Sequence, residues 1–376
     1  MSAYPVIHWN EAGQERAARW RSEASLPPPK RVAIADDRMN ADSAYRLACE
    51  GTALLWRGDY HNARQLLQAL ARRTDRKAKT GKDAPASAAD AFHLHRKAQA
   101  QRARILGMIL IPFDAGHVIP LRRAPDVRQA CEEAYGAAGE AYVASLREIQ
   151  GLVGAHEWRK KGVEIPALGA RIHPWYGVFS PVRGEYVDLV AAAPLPSKTL
   201  AFDIGTGTGV LSAVLARRGV ARIVATDQDP RALGCARENL QRLGLSAQVE
   251  LMAADLFPTG RAPLVICNPP WVPARPSSPI EYAVYDPDSR MLRGFLDGLA
   301  AHLEPGGEGW LVLSDIAEHL GLRSREALEG WIAQAGLRVL GRHDARPRHP
   351  KAFDASDPLH AARAAEVTSL WRLAGA

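Results

Sequence analysis

From residue 199 onward, short apolar runs alternate with stretches of helical periodicity. Residues 199–204, 222–226, 249–252, 264–267 and 310–314 are brief and aliphatic and are bounded by polar or glycine-containing turns, which predicts strands. Between them, residues 210–218, 230–243 and 289–303 predict helices, the last stopped sharply by Pro305-Gly306-Gly307 ahead of the strand from Trp310. Residues 367–373 predict a closing strand. The alternation predicts a parallel sheet covered on both faces.

The front of the chain has a different texture. Residues 9–25 are polar and predict a helix ended by Pro27-Pro28-Pro29, and residues from Asp42 predict another carrying Tyr45, Cys49, Leu54 and Leu55. Ala63, Leu66, Leu67, Leu70 and Ala71 share one face of a third. Residues 89–108, 126–135 and 140–158 predict three more helices, and residues 80–88 a loop. The chain of 376 residues is long enough for two domains, and the change of texture divides it into a mainly α-helical domain, 1–165, and an α/β domain, 166–376, with the break near Pro166.

Charge separates the same two regions. The formal net charge is +7, yet residues 1–123 hold 21 Lys and Arg against 12 Asp and Glu, so the remainder is slightly acidic. A basic front domain predicts contact with nucleic acid or a ribosomal or other translation component, against the plainer reading of a solvated arginine-rich surface. No apolar run reaches membrane-span length, and the start lacks a signal-peptide pattern. Cys49, Cys131, Cys235 and Cys267 are too scattered for a disulfide framework or a paired metal motif, which predicts a reducing cytoplasm. His93 and His95 are two apart, do not share a helix face and have no acidic or cysteine neighbour, so no metal site is predicted.

Candidate chemistry gathers at the predicted strand ends. Asp203-Ile204-Gly205-Thr206-Gly207-Thr208-Gly209 follows the first strand and opens a helix. Glycines there permit a tight turn and let a ligand approach bare backbone. The third glycine, Gly209, comes two positions after Gly207 instead of three, and Asp203 would repel a pyrophosphate, so a dinucleotide is disfavoured. Asp227 ends the second strand, where an acid can accept both hydroxyls of a ribose. Asp255-Leu256 follows the third, where an acid and an apolar neighbour can bracket an adenine. Singly each acid reads equally well as a cap or turn residue, the role given to Asp229 before Pro230. Together they suit a ribose, an adenine and a cationic amino-acid tail, which is S-adenosylmethionine.

The apolar run to Cys267 then breaks into Asn268-Pro269-Pro270-Trp271. Proline removes the ladder donor and fixes φ, so the chain must turn out at the strand's carboxyl end, leaving an amide, exposed carbonyls and a ring at the rim. Read as structure alone, the prolines are a turn and Trp271 is a packed ring. Read as chemistry, the Asn268 side-chain oxygen and the Pro269 carbonyl accept N–H groups from a planar nitrogen whose lone pair is otherwise delocalised. That is stabilisation aimed at the transition state, completed by orientation. Trp271 then offers a face for a planar group.

These segments, with Ala225-Thr226-Asp227 and Arg237-Glu238-Asn239, resemble the successive motifs of class I methyltransferases. They are most similar to the release-factor glutamine methyltransferases and the related small-domain enzymes that methylate ribosomal RNA. The likeness covers about residues 177–313. Tyr176-Gly177-Val178-Phe179-Ser180 is similar to a segment of the ribosomal RNA guanine enzymes, whereas Ser180-Pro181-Val182-Arg183-Gly184-Glu185 departs from the proline-arginine-proline-glutamate run of the glutamine enzymes. The resemblance implies a Rossmann-like domain with a mostly parallel seven-stranded sheet and an S-adenosylmethionine site formed by Asp203, Gly205, Gly207, Gly209, Asp227, Asp255, Leu256 and Asn268. The acceptor is implied at Asn268, Pro269 and Trp271. The function that follows is N-methylation of a planar amide or nucleobase nitrogen in RNA, DNA or a translation-related protein. The alternatives are a small-molecule amine methyltransferase and a non-catalytic module on the same fold.

Overall fold

The computed structural model describes residues 4–78, 85–276, 279–348 and 350–376, in two compact units. One comprises Met1–Pro85 and His93–Glu157, the other Ala86–Phe92 and Trp158–Ala376. The loop expected at 80–88 lies largely outside the described residues.

The first unit is not mainly helical. It contains strands β1 (Val6–Glu11), β2 (Gln14–Trp20) and β3 (Arg31–Ala35), helix α1 (Ala41–Cys49), β4 (Thr52–Trp56), α2 (Tyr60–Ala78), α3 (Ala88–Leu106), β5 (Ile109–Phe113), α4 (Arg128–Tyr135), β6 (Tyr142–Ser145) and α5 (Leu146–Lys161), the ends of α3 and α5 lying in the second unit. The strands form one mixed sheet in the order β1-β2-β6-β5-β4-β3, with β3, β4 and β5 parallel. The helix expected over 9–25 is a hairpin. Ala12 and Gly13 stand at φ 53° and 79°, the left-handed pair that a two-residue hairpin turn demands, and Glu11 pairs with Gln14. In β4, Ala53, Leu54, Leu55 and Trp56 are all buried, as are all four residues of β6, so neither strand shows the period-two alternation that marks a half-exposed strand. Much of the basic charge is answered locally: Arg57 pairs with Glu11, Arg73 with Asp42, Arg102 with Asp75, and Arg122 and Arg123 both hold the buried Asp59.

The second unit continues with β7 (Val163–Ile165), β8 (Ala170–Ile172), α6 (Glu185–Ala192), β9 (Leu200–Ile204), α7 (Val210–Arg217), β10 (Arg222–Asp227), α8 (Pro230–Arg242), β11 (Val249–Ala253) and β12 (Ala262–Cys267). It ends with α9 (Arg290–His302), β13 (Leu303–Ser314), α10 (Ile316–His319), α11 (Arg325–Gln334), β14 (Leu337–Ala345), α12 (His360–Ala365) and β15 (Thr368–Gly375). Its seven-stranded sheet runs β11-β10-β9-β12-β13-β15-β14, parallel except for β15, which is antiparallel to both neighbours. This is the expected Rossmann-like α/β architecture. The break falls at residue 158, ahead of the expected Pro166, because Val163, Ile165, Leu168 and Ile172 belong to the second unit's core.

Alternation along the strands feeds two cores. Leu264 and Ile266 pack on one face with α6 and α7, while Val265 and Cys267 pack on the other with Leu292, Phe295, Leu296 and Leu299 of α9. Each such side chain contributes about 1.5–3 kcal/mol on burial. The sheet is therefore fixed on both sides, and its carboxyl-end loops are carried on a rigid platform. The glycine pair after Pro305 does not delay β13, which begins at Leu303 and pairs with β12 across a register shift between Ala262 and Leu264.

Candidate active site

Parallel strands deliver their carboxyl ends to one edge, and the crevice there is where open α/β sheets take ligands. Register fixes the neighbours on that edge. Ile204 of β9 lies beside Thr226 of β10 on one side and Cys267 of β12 on the other, so the glycine loop, Asp227 and Asn268 emerge from adjoining strands.

The glycine loop is held from below. Asp203 is 1% exposed, and its Oδ2 accepts from Thr206 Oγ1 at 2.8 Å, Ser212 Oγ at 2.6 Å and the Ser212 amide at 3.1 Å. Burial raises its pKa, opposed by the hydroxyls of Ser212 and Thr206. Asp203 is thus a strut tying the loop to α7, and its carboxylate does not line the rim. Asp203→Ala strands three buried donors and is expected to cost about 2–4 kcal/mol of stability, read as a lowered denaturant midpoint at unchanged slope.

Above this strut, Gly205 and Gly207 stand at φ 72° and 55°. A Cβ on Gly205 would overlap Met291 Cε, whereas one on Gly207 would meet nothing within 4 Å. Bare backbone at Gly207 therefore faces open space that a ligand can enter. Gly209 caps α7 at φ 77°, close enough to α8 that a Cβ would lie 3.2 Å from Ala236 Cβ.

Asp227 completes the rim. One of its oxygens accepts from the Gly207 amide at 3.0 Å and the other from the Asp229 amide at 2.9 Å, and the Gln228 amide adds a third backbone donor, which together orient the half-buried carboxylate. Burial raises its pKa, and the N–H groups of Asp229 and Gly207 counter the rise. Asp229 also caps α8 through the Arg231 amide, as its position before Pro230 predicts.

Thr226 is a residue whose part the sequence did not disclose. It is fully buried; its carbonyl accepts from the amides of both Gly205 and Thr206 at 2.9 Å, and its hydroxyl donates to the Leu256 carbonyl at 2.5 Å. One side chain and one carbonyl thereby join three loops. Leu256 is held at φ 78°, a left-handed strain worth about 1–3 kcal/mol, and sits so close over α9 that a Cβ on Gly294 would lie 2.6 Å from its Cδ1. Asp255 beside it is exposed and paired with Arg290 at 2.6 Å.

Across β9 from Asp227, Asn268 is half-buried and its Oδ1 accepts from Trp271 Nε1 at 2.9 Å. The ring of Trp271 packs against both sheet cores and against a third apolar cluster that includes Val272, Ile316 and Leu320. Its indole N–H therefore locks the orientation of the Asn268 amide, presenting an oxygen with one lone pair still available. Pro269 is buried and Cys267 is a fully buried strand residue whose thiol pKa burial pushes far up, so it has no part at the rim. Asp286 returns to this loop through its amide to the Val272 carbonyl, and its carboxylate accepts from the Met291 and Leu292 amides, capping α9. Arg183, in the segment that departs from the glutamine enzymes, places Nη1 3.0 and 2.8 Å from the two oxygens of Glu366, which Ser314 Oγ also meets. No cluster of potential metal ligands occurs among the described residues.

Hydrogen bonds from Gly205 to the Thr226 carbonyl and from Gly207 to Asp227 thus tie the glycine loop to the end of β10, with Asn268 and Trp271 following β12; Asp255 is exposed beside Leu256, and Asp203 lies underneath. Residues 171–329 match the family model of the methyltransferase small domain. The chain's relatives include the release factor glutamine methyltransferase of Cereibacter sphaeroides, 32% identical over 169 residues that make up 41% of this chain and 58% of the relative. That of Moorella thermoacetica is 38% identical over 31% of this chain and 44% of its own. The ribosomal protein L11 methyltransferase of Symbiobacterium thermophilum is 30% identical over 36% of this chain and 38% of its own. The chain spans less than two thirds of the length of each of these relatives. None of the described helices is long and apolar enough to cross a membrane.

Proposed function

We propose that this chain is an S-adenosylmethionine-dependent N-methyltransferase acting on a planar amide or nucleobase nitrogen of a translation-related macromolecule. The observation that carries the reading is the placement of the Asp227–Gly207 cradle and the oriented Asn268 oxygen on the strand ends that flank β9. A ribose diol suits the carboxylate of Asp227, bare backbone at Gly205 to Gly209 suits a close-lying amino-acid tail, and Leu256 with Asp255 suits an adenine edge and face. The cofactor supplies a methyl group on a sulfonium, ready for in-line attack. Asn268 Oδ1 and the Pro269 carbonyl accept the acceptor's N–H groups, aim the nitrogen lone pair and stabilise the positive charge that grows on it. The nitrogen's proton leaves to solvent once the bond to carbon has formed, so no strong base is required.

Trp271 is assigned as the residue that positions Asn268. Trp271→Phe keeps an apolar ring but removes the N–H, and is expected to lower kcat roughly tenfold while leaving cofactor affinity unchanged, the loss of one hydrogen bond to the amide. Single-turnover kinetics beside a cofactor titration separates the two. The names of the relatives, which concern a release factor and a ribosomal protein, support an acceptor in the translation apparatus. Recognition of that acceptor is assigned to the first unit, whose basic excess supports the role. Calorimetric titration with S-adenosylhomocysteine tests the foundation of the reading: saturable one-site binding is expected, and its absence overturns it.

A further inference from the structure

Arg323 lies between α10 and α11, in the loop that leaves the carboxyl end of β13, next to the strand that ends in Asn268. The residue is only 7% exposed, and its Nε and Nη2 are buried with no hydrogen-bond partner among the described residues. An isolated buried cation is one of the costliest arrangements a fold can carry, and it persists where something supplies the missing acceptors. Nε and Nη2 form the side-on edge of the guanidinium, whose two N–H groups point the same way and match the two oxygens of a carboxylate or phosphate.

The nearby carboxylates are committed elsewhere. Glu318 holds Arg325, with both oxygens within 3.0 Å of its Nε. Asp286 spends one oxygen on the Met291 amide and the other on the Leu292 amide. Both acids favour the charged form of Arg323 from a distance, while burial opposes it. The loop itself is well anchored: the amides of Leu322 and Arg323 both donate to the Ala317 carbonyl, and Ser324 immediately afterwards caps α11. Leu320 and Leu322, just before Arg323, pack in the apolar cluster that contains Trp271, Val272 and Tyr285. The unpartnered guanidinium edge is therefore held by the same packing that fixes the acceptor loop, on the side of Asn268 away from Asp227.

From these contacts we infer that Arg323 is a binding site for an oxyanion, a carboxylate or phosphate group carried by the molecule that presents its nitrogen to Asn268. Bidentate capture at this point would anchor the acceptor a fixed distance from the reacting nitrogen and select for acceptors with an anionic group there. The inference rests on the proposed methyltransferase reading for the identity of the ligand's carrier, though the anion site itself does not.

The test is a thermal-melt titration of the full chain with sodium phosphate and, separately, sodium acetate, each at constant ionic strength, on the wild type, Arg323→Met and Arg323→Lys. The wild type is expected to gain Tm saturably with at least one of the two anions, and which of them acts distinguishes a phosphate-bearing from a carboxylate-bearing acceptor. Arg323→Met, relieved of a buried unpaired charge, is expected to melt higher than the wild type without anion and to lose the anion response. Arg323→Lys keeps the charge without the fork and is expected to respond at least tenfold more weakly. A wild type indifferent to both anions, or an undiminished response in Arg323→Met, overturns the site. S-adenosylhomocysteine titrated on the same samples keeps the two readings apart: Arg323→Met is expected to bind it as the wild type does, and failure of the wild type to bind it would remove the methyltransferase reading while leaving the anion response standing or falling by itself.

Discussion

Asp227→Ala is expected to weaken S-adenosylhomocysteine binding by roughly 10- to 100-fold, the loss of one hydrogen bond to a charged group at about 1.5–3 kcal/mol. The fold should survive, because Gly205 and Thr206 hang from the Thr226 carbonyl, and the groups that lose an acceptor are the backbone amides of Gly207, Gln228 and Asp229. The same residue sets a pH dependence. Burial raises the Asp227 pKa, so the carboxylate is charged above that raised value and protonates as pH falls through it. Cofactor affinity is therefore expected to decline on the acid side, beginning at a higher pH than an ordinary aspartate near pKa 3.9 would give. Asp227→Asn, which cannot titrate, is expected to bind weakly with a flat profile over that range. Calorimetry across the acid limb reads both effects; an undiminished affinity in Asp227→Ala would remove Asp227 from the cofactor site.

The second large effect is at Asn268. Asn268→Ala is expected to leave S-adenosylhomocysteine affinity within about twofold and to lower kcat by roughly 10²-fold or more, the scale observed when one preorganised hydrogen-bonding group is removed from a developing charge. Cofactor contacts are expected to be spared because Asp227 lies across β9 from the substitution and the glycine loop hangs from Asp203 and the Thr226 carbonyl, not from Asn268. The variant also leaves Trp271 Nε1 without its acceptor, so some stability is lost as well. A denaturant midpoint measured beside the kinetics shows that the protein assayed is folded. An equal loss of cofactor binding and turnover would mean that Asn268 supports the cofactor pocket instead of the acceptor.

How far the sequence carries these arguments differs between the two units. In the second, β12 alternates between two cores, and its end is marked by Asn268-Pro269, so strand, exit and candidate chemistry are written in one short stretch. The strand β14 left no such mark, because Leu337 is buried while Arg338, Val339, Leu340, Arg342, His343 and Asp344 are exposed. Edge strands protect themselves with such charges, and the protection removes the hydrophobic signal. In the first unit the failure has the opposite cause: β4 and β6 are buried on both sides, and continuous apolar runs of that length read equally as helix.

Site residues divide along the same line. Gly205, Gly207 and Asp227 announce themselves by position after strands. Asp203 has the right position and a different task, since its partners Thr206 and Ser212 close around it only when α7 forms. Thr226 serves through its carbonyl and a bond 30 residues away, and Arg323 stands out because its surroundings leave two buried guanidinium nitrogens without a partner among the described residues. Neither fact is local in the chain. In the basic front third, Asp59, Asp42, Asp75 and Glu11 pair with arginines, placements that a count of charge does not disclose.

Transfer of label tests the central claim most directly. The purified chain is incubated with methyl-labelled S-adenosylmethionine and separated pools of RNA, DNA, protein and small metabolites, alongside Asn268→Ala shown to bind S-adenosylhomocysteine normally. Label is expected in a macromolecular pool, on an amide or nucleobase nitrogen, with the wild type, and at about one hundredth of that rate or less with the variant. Equal labelling by Asn268→Ala, or label confined to small metabolites, would contradict the account.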